Sequence, residues 1–147
     1  MSDIIYDTAI AAEKAFYCAL EAGDFTAMMT VWEPVSTVVC IHPLGLCLLG
    51  INQVRASWQA ILRNNTRLEV VCEPIQRLDE PAIAIHSVYE HITLAYAAKL
   101  EPGVATQQTM LATNIYRFNT LGWRMILHHS SPPPSVPAKT RTKFQIH

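Results

Sequence analysis

Two segments, 82–97 and 105–119, are rich in β-branched and aromatic residues and read as strands. Each runs to roughly fifteen residues, well beyond the usual strand of ~5–6, which implies bending or a bulge instead of a flat ribbon. A bent sheet has a concave face, and something apolar must fill it. Two further strands, about Arg67–Val71 and Gly122–Ser130, flank this pair, so the second half of the chain reads as an antiparallel meander.

The first half supplies the filling. Ile5, Ala9, Ala12, Phe16 and Leu20 recur at helical intervals, and Gly23 stands where a left-handed C-terminal cap belongs. Asp24 can cap a short second helix with Phe25, Met28, Met29 and Trp32 on one face, stopped by Pro34. Val35–Ile41 reads as a strand closed by Pro43 and Gly45. After Gly50, a third helix carries Ile51, Val54, Trp58, Ile61 and Leu62 on one side and ends near Asn64 and Asn65. Helices first and long strands after give an α+β fold, with the first helix the natural occupant of the concavity.

The chain has 147 residues, half of them hydrophobic and 16% charged, enough for one core without disulfides or metal and with apolar surface left for self-association. A net charge of −1 without a basic stripe in the body of the chain argues against nucleic-acid binding. No apolar run approaches the ~18–20 residues of a membrane helix. Cys18, Cys40, Cys47 and Cys72 show no CxxC spacing, and no signal segment opens the chain, which together point to the reducing cytoplasm. Residues 1–131 read as the domain; 132–147, with Pro132-Pro-Pro134 and Lys139, Arg141 and Lys143, read as a tail whose Phe144 and Ile146 can dock on a partner subunit.

A carboxylate in an apolar strand must be paired, hydrogen-bonded or shifted in pKa. The aspartates lie in loops or near element ends, which leaves Glu90 as the only carboxylate within the three long C-terminal strands and the best candidate general base. The alternative is an outward Glu90 paired across strands or a dimer interface. Counting by twos from Trp123 puts Met125, Leu127 and His129 on the more apolar face, so His129 is expected in the pocket and His128 outside. Ala112, Asn114, Tyr116 and Phe118 form the matching set on the preceding strand, bringing Asn114 beside His129. Trp32 and Trp58, on inward helix faces, suit a pocket wall or plain core packing. His42, at a strand end, can overhang the pocket mouth. Cys40 lies two residues from it, a spacing of ~7 Å along a strand, too long for a thiolate–imidazole pair. No spacing resembles a metal clamp, and no dinucleotide, P-loop or serine-hydrolase motif occurs, so neither metal nor cofactor is expected.

Several strings, Ala19-Leu-Glu-Ala-Gly-Asp24, Cys40-Ile-His-Pro43, Gly50 with Trp58, Ala112-Thr-Asn114 and above all Gly122-Trp-Arg-Met-Ile-Leu-His-His-Ser130, resemble the SnoaL-like branch of the nuclear transport factor 2-like superfamily. The resemblance spans about 9–133. It implies a cone-shaped, cystatin-like fold in which a strongly bent antiparallel sheet wraps a long helix, and a homodimer joined through the sheet's outer face. It does not imply one activity, because the scaffold hosts isomerases, cyclases, dehydratases and non-catalytic proteins. A ketosteroid isomerase site has an aspartate base facing a Tyr and a protonated Asp; here no aspartate lies inside a strand, and Tyr89, next to Glu90, faces the other way. The last strand is also similar to that of the calcium/calmodulin-dependent kinase association domain, an assembly module. Two functions follow: a small-molecule pocket doing cofactor-free isomerase or lyase chemistry with Glu90 as base, His129 as acid or donor, and Trp32, His42, Trp58, Asn114 and Tyr116 around the ligand; or a non-catalytic homodimeric binding or assembly domain.

Overall fold

The structure is a computed structural model that describes residues 4–63, 68–94 and 107–134. Three helices, α1 (Ala9–Ala22), α2 (Phe25–Val31) and α3 (Gly50–Leu62), pack into one face of a six-stranded sheet. The strands are β1 (Val39–Ile41), β2 (Cys47–Leu49), β3 (Leu68–Asp79), β4 (Ile83–Leu94), β5 (Gln107–Asn119) and β6 (Gly122–Ser131), in the spatial order β2-β1-β6-β5-β4-β3. This is the α+β cone. The meander β3-β4-β5-β6 is antiparallel throughout, and the single parallel pair joins β1 to β6.

Caps set the helix limits. The Thr8 side chain accepts from Ala11 N at 3.0 Å, so α1 begins at Ala9 and not at Ile5. Gly23, at φ 65°, turns the chain out of α1, with the amide of Asp24 bonding to Ala19 O at 3.0 Å. Asp24 Oδ1 then accepts from Ala27 N at 3.0 Å and starts α2. Phe16, Ala12, Met28, Val31, Trp32, Val54 and Trp58 meet Val88, Ala112, Tyr116 and Met125 of the sheet to form the core. Asn64, Asn65, Arg67, the loop between β4 and β5, and the tail from Ser135, including Lys139, Phe144 and Ile146, lie outside the described residues. No described helix is long and apolar enough to cross a membrane.

The sheet departs from the sequence reading at its edges and at two bulges. β3 continues past Val71 to Asp79, with the register shifting between Pro74 and Gln76 so that Ile75 is the extra residue. Pro74 is tolerated there because β3 is an edge strand. β2, a three-residue edge strand, follows Gly45, in a stretch the sequence reading left unassigned. The strand expected from Val35 starts only at Val39. In β6, Tyr116 pairs with Met125 but Ile115 pairs with Leu127, so Ile126 is inserted and the faces exchange beyond it.

The β5–β6 turn is tied to the N-terminus. Gly122, at φ 83°, pairs with Tyr6, and a Cβ there would stand 2.9 Å from Tyr6 O and 2.8 Å from Ile5 Cγ2. Both the backbone conformation and the close approach demand glycine. At Gly23 the nearest atom to an added Cβ is 3.9 Å away, so only the conformation does. Gly23→Ala should therefore cost about 1 kcal/mol, from the left-handed backbone alone, and Gly122→Ala about 2–4 kcal/mol, from backbone and overlap together. Urea unfolding of the two variants checks this order.

A buried carboxylate network inside the cone

The bulge at Ile126 decides what lines the interior. Met125 points inward before it; His128 and Ser130 point inward after it. His129 is exposed on the outer face, beside a shallow groove with Leu111 and Thr113. This corrects the expected assignment, since one inserted residue inverts the parity counted from Trp123. Asn114, fully buried, lies opposite His128 in the register. Ala112 and Tyr116 are also inward, whereas Phe118, at the end of β5, is 49% exposed and packs on Trp123.

Glu90 points into the cone and is 3% exposed. Both of its carboxylate oxygens accept: Oε2 from the Tyr17 hydroxyl of α1 at 2.7 Å, and Oε1 from Ser130 Oγ at 2.6 Å. Asn114 Nδ2 donates to the Tyr17 oxygen at 2.9 Å. That fixes the amide so that Asn114 Oδ1 accepts from His128 Nδ1–H at 2.6 Å. The donors run in one direction, from imidazole through amide and phenol to carboxylate. Burial first, and then the Glu90 charge, raises the Tyr17 pKa, so the phenol remains a donor. Burial pushes the His128 pKa down to about 4 against the weaker opposing pull of Glu90. His128 is neutral at pH 7 with its proton on Nδ1.

A second network lies further along α1 and β4. Glu13 Oε1 accepts from Arg77 at 2.8 Å, and Glu13 Oε2 faces His86 Nδ1 at 2.8 Å. His86 Nε2 meets Asp79 Oδ1 at 2.8 Å, and the Tyr116 hydroxyl donates to Glu13 at 3.4 Å. Burial alone would lower the His86 pKa, but the hydrogen bonds and charges of Glu13 and Asp79 raise it. Burial likewise opposes ionisation of Glu13, and His86 with Arg77 outweighs it, holding the pKa below its usual value. Tyr116 thus belongs to this ionic cluster and not to the group around Glu90.

The remaining candidates are dispersed. Trp32 is 1% exposed in the core, bridged to Met125. Trp58, 3% exposed, stands between Phe16, His42 and His128, with ring centroids 4.8 to 6.3 Å apart along the His42–Trp58–His128 line. Neither indole N–H finds a partner among the described residues. His42 is half-buried, and its Nε2 lies 2.8 Å from Ser57 Oγ and 3.6 Å from Cys40 Sγ. The expected separation of Cys40 and His42 is therefore wrong: His42 lies past the end of β1, where strand spacing no longer applies. Burial nonetheless raises the Cys40 thiol to about 12, which keeps it protonated.

A groove of about 290 Å³ between α1 and β3 leads towards Glu90. Tyr17, which bonds Glu90, lines it, as does Cys72, which sits opposite Glu90 in the register. Burial, then the Glu13 and Glu90 charges, raises the Cys72 thiol to about 12. Among the described residues no cluster of three or more His, Cys, Asp or Glu has metal-binding geometry.

Residues 10–135 match the family model of the SnoaL-like domain. The chain belongs to the SnoaL-like domain family. Among solved structures, this SnoaL-like domain is 35% identical to a proposed calcium/calmodulin-dependent protein kinase type II association domain from Thiobacillus denitrificans, with a TM-score of 0.78 over 89% of this chain and 99% of that one. It is 27% identical to a proposed dehydratase of the NTF2-like family from Streptomyces avermitilis, with a TM-score of 0.74 over 87% and 95% of the two chains. A curated relative, the F-box protein SKIP8 of Arabidopsis thaliana, is 24% identical over 122 residues, which are 83% of this chain and 48% of SKIP8. The chain thus spans about half the length of that relative.

Glu13, Tyr17, Arg77, Asp79, His86, His128 and Ser130 are the network members that the sequence reading missed. Glu13 and Tyr17 sit on the same apolar helix row as Ala9, Phe16 and Leu20, and His86 shares the parity of Glu90, so a signal existed for these three.

The two buried histidines link stability to pH in opposite senses. The native pKa of His86 is raised above the unfolded ~6.5, so its contribution is complete below that pH and is lost as pH rises through the raised value. The native pKa of His128 is lowered to about 4, so stability falls as the pH drops from ~6.5 towards 4. Urea unfolding from pH 5 to 9 should show a maximum near neutrality. His128→Asn should flatten the acid side by up to a few kcal/mol, and His86→Gln the alkaline side. An acid limb of unchanged slope in His128→Asn would contradict this assignment.

Proposed function

We propose that this domain binds a small molecule and performs proton-transfer chemistry of the isomerase or lyase type, with Glu90 as base. The observation that carries this reading is the 2.7 Å bond between buried Glu90 and Tyr17, a residue that also lines the groove beside α1. Glu90 takes a proton from a carbon next to a carbonyl, and the electron pair moves onto the carbonyl oxygen. The Tyr17 hydroxyl, no longer drawn to a charged carboxylate, turns to donate to that oxygen. Return of the proton at another carbon completes an isomerisation; loss of a β-substituent completes an elimination. Water-poor surroundings strengthen each of these interactions. Ser130 and Asn114 hold Glu90 and Tyr17, and His128 fixes the orientation of Asn114. The similarity to an NTF2-like dehydratase adds weight to this class of chemistry. Free cysteines at 18, 40, 47 and 72 suit a cytosolic setting.

The test uses a metabolite extract in deuterium oxide, analysed by mass spectrometry. Wild-type protein should place deuterium in one or a few metabolites. Glu90→Gln should slow that labelling by about 10²-fold or more, while His129→Ala labels as wild type does. Equal labelling by wild type and Glu90→Gln, or none by either, would overturn the proposal.

A second reading, compatible with the first, is a homodimer through the outer face of the sheet. The helices cover one face only, leaving Val71 63% and Tyr89 37% exposed on the other, with Leu111 and Ile115 beside them. Similarity to an association domain points the same way. Sedimentation should give a dimer at micromolar concentration, and Leu111→Lys should shift it towards monomer.

A further inference from the structure

Charge accounting in the groove between α1 and β3 leaves one kind of recognition unspent. The carboxylate beside Arg77 is already occupied: Glu13 accepts from Arg77, His86 and Tyr116, while Glu21, at the other end of the groove, accepts from the amide of Val70 at 2.7 Å through one oxygen. The groove's cations are not. Arg77 uses only one terminal nitrogen on Glu13, its side chain is 30% exposed, and a guanidinium carries five N–H donors. Lys14, also on the groove, forms no ion pair among the described residues. Moreover, Glu13 divides its charge between Arg77 and His86, so Arg77 has no carboxylate of its own. Ile10, one turn before Lys14 on α1, and Val70, beside Glu21 and past Tyr17, add apolar surface to the two ends of the groove.

We infer that the groove takes a small organic acid, whose carboxylate meets the free donors of Arg77 and Lys14 and whose hydrocarbon runs along the groove past Tyr17 towards Val70. This names the substrate class for the Glu90 reading, on which it rests for the reacting end of the ligand. A carboxylate matches the planar guanidinium fork better than a hydroxyl or an amine does, and an amine at that end of the groove would face two cations. The volume of about 290 Å³ suits a small ligand. The far end of such an acid reaches Tyr17 and Cys72, the groove residues next to Glu90. The Glu13–His86–Asp79 array serves to position Arg77.

Titration with hexanoate, hexanol and hexylamine, followed by calorimetry and by the Arg77 Nε–H signal in NMR, tests the inference without requiring turnover. Hexanoate should bind and shift that signal; hexanol and hexylamine should bind at least tenfold more weakly. Arg77→Met should weaken hexanoate by about tenfold or more, the loss of a charge-assisted pair. Arg77→Lys, which retains the charge for Glu13, should weaken it by a smaller factor, and Glu90→Gln should leave it within about twofold. Equal binding of all three probes, or hexanoate binding unchanged in Arg77→Met, would overturn the inference. Because Glu90→Gln should slow labelling while leaving hexanoate binding within about twofold, failure of the groove and failure of the base are read separately.

Discussion

Two carboxyl groups, Glu13 and Glu90, are withdrawn from water inside the cone, and the interior is arranged around meeting their demand for donors. An unpaired buried carboxylate costs far more than any single packing contact returns. Each is therefore met from several elements at once. Glu90 of β4 draws on α1 through Tyr17 and on β6 through Ser130; Glu13 of α1 draws on β3 through Arg77 and on β4 through His86. These bonds tie the helix to the sheet in a fixed register, which apolar packing by Phe16, Val88 and Met125 alone would specify less sharply.

The two networks share a helix face but differ in chemistry. The Glu13 cluster couples two carboxylates to two cationic groups and is close to neutral as a unit. The Glu90 cluster has a neutral imidazole, an amide and two hydroxyls, all oriented towards one carboxylate, with no cation in hydrogen-bonding contact. The first arrangement suits structural pairing; the second suits a group that must change its proton during a reaction. Tyr17 and Cys72 connect the second to the groove, and Arg77 connects the first to the same groove. One helix thereby carries both the recognition and the acid–base parts of the proposed site.

Much of the fold was legible in the sequence because it rests on local signals: the Gly23-Asp24 corner, the helical rows of α1 and α3, and strands too long to stay flat. The edges were not legible. β3 beyond Cys72 is exposed on both sides, so Glu73-Pro-Ile-Gln-Arg77 carries no alternation to read. The interior of the site was legible only in part. Asn114 points inward, as the parity counted in β5 requires, whereas the sequence left the direction of Glu90 open and the structure turns it inward. In β6 the same counting fails because Met125-Ile-Leu127 is apolar on both faces, which conceals the insertion at Ile126. The partners of Glu90 and Glu13 come from distant parts of the chain, and no local pattern announces them.

The inserted Ile126 turns His128, and not His129, into the cone as the first donor of the chain ending on Glu90. Nitrogen-15 NMR of the histidine rings tests it directly. His128 should be neutral at pH 7 with its proton on Nδ1, and should remain so until the pH approaches 4. A His128 ring that carries its proton on Nε2, or that titrates near the ordinary ~6.5, would contradict the account.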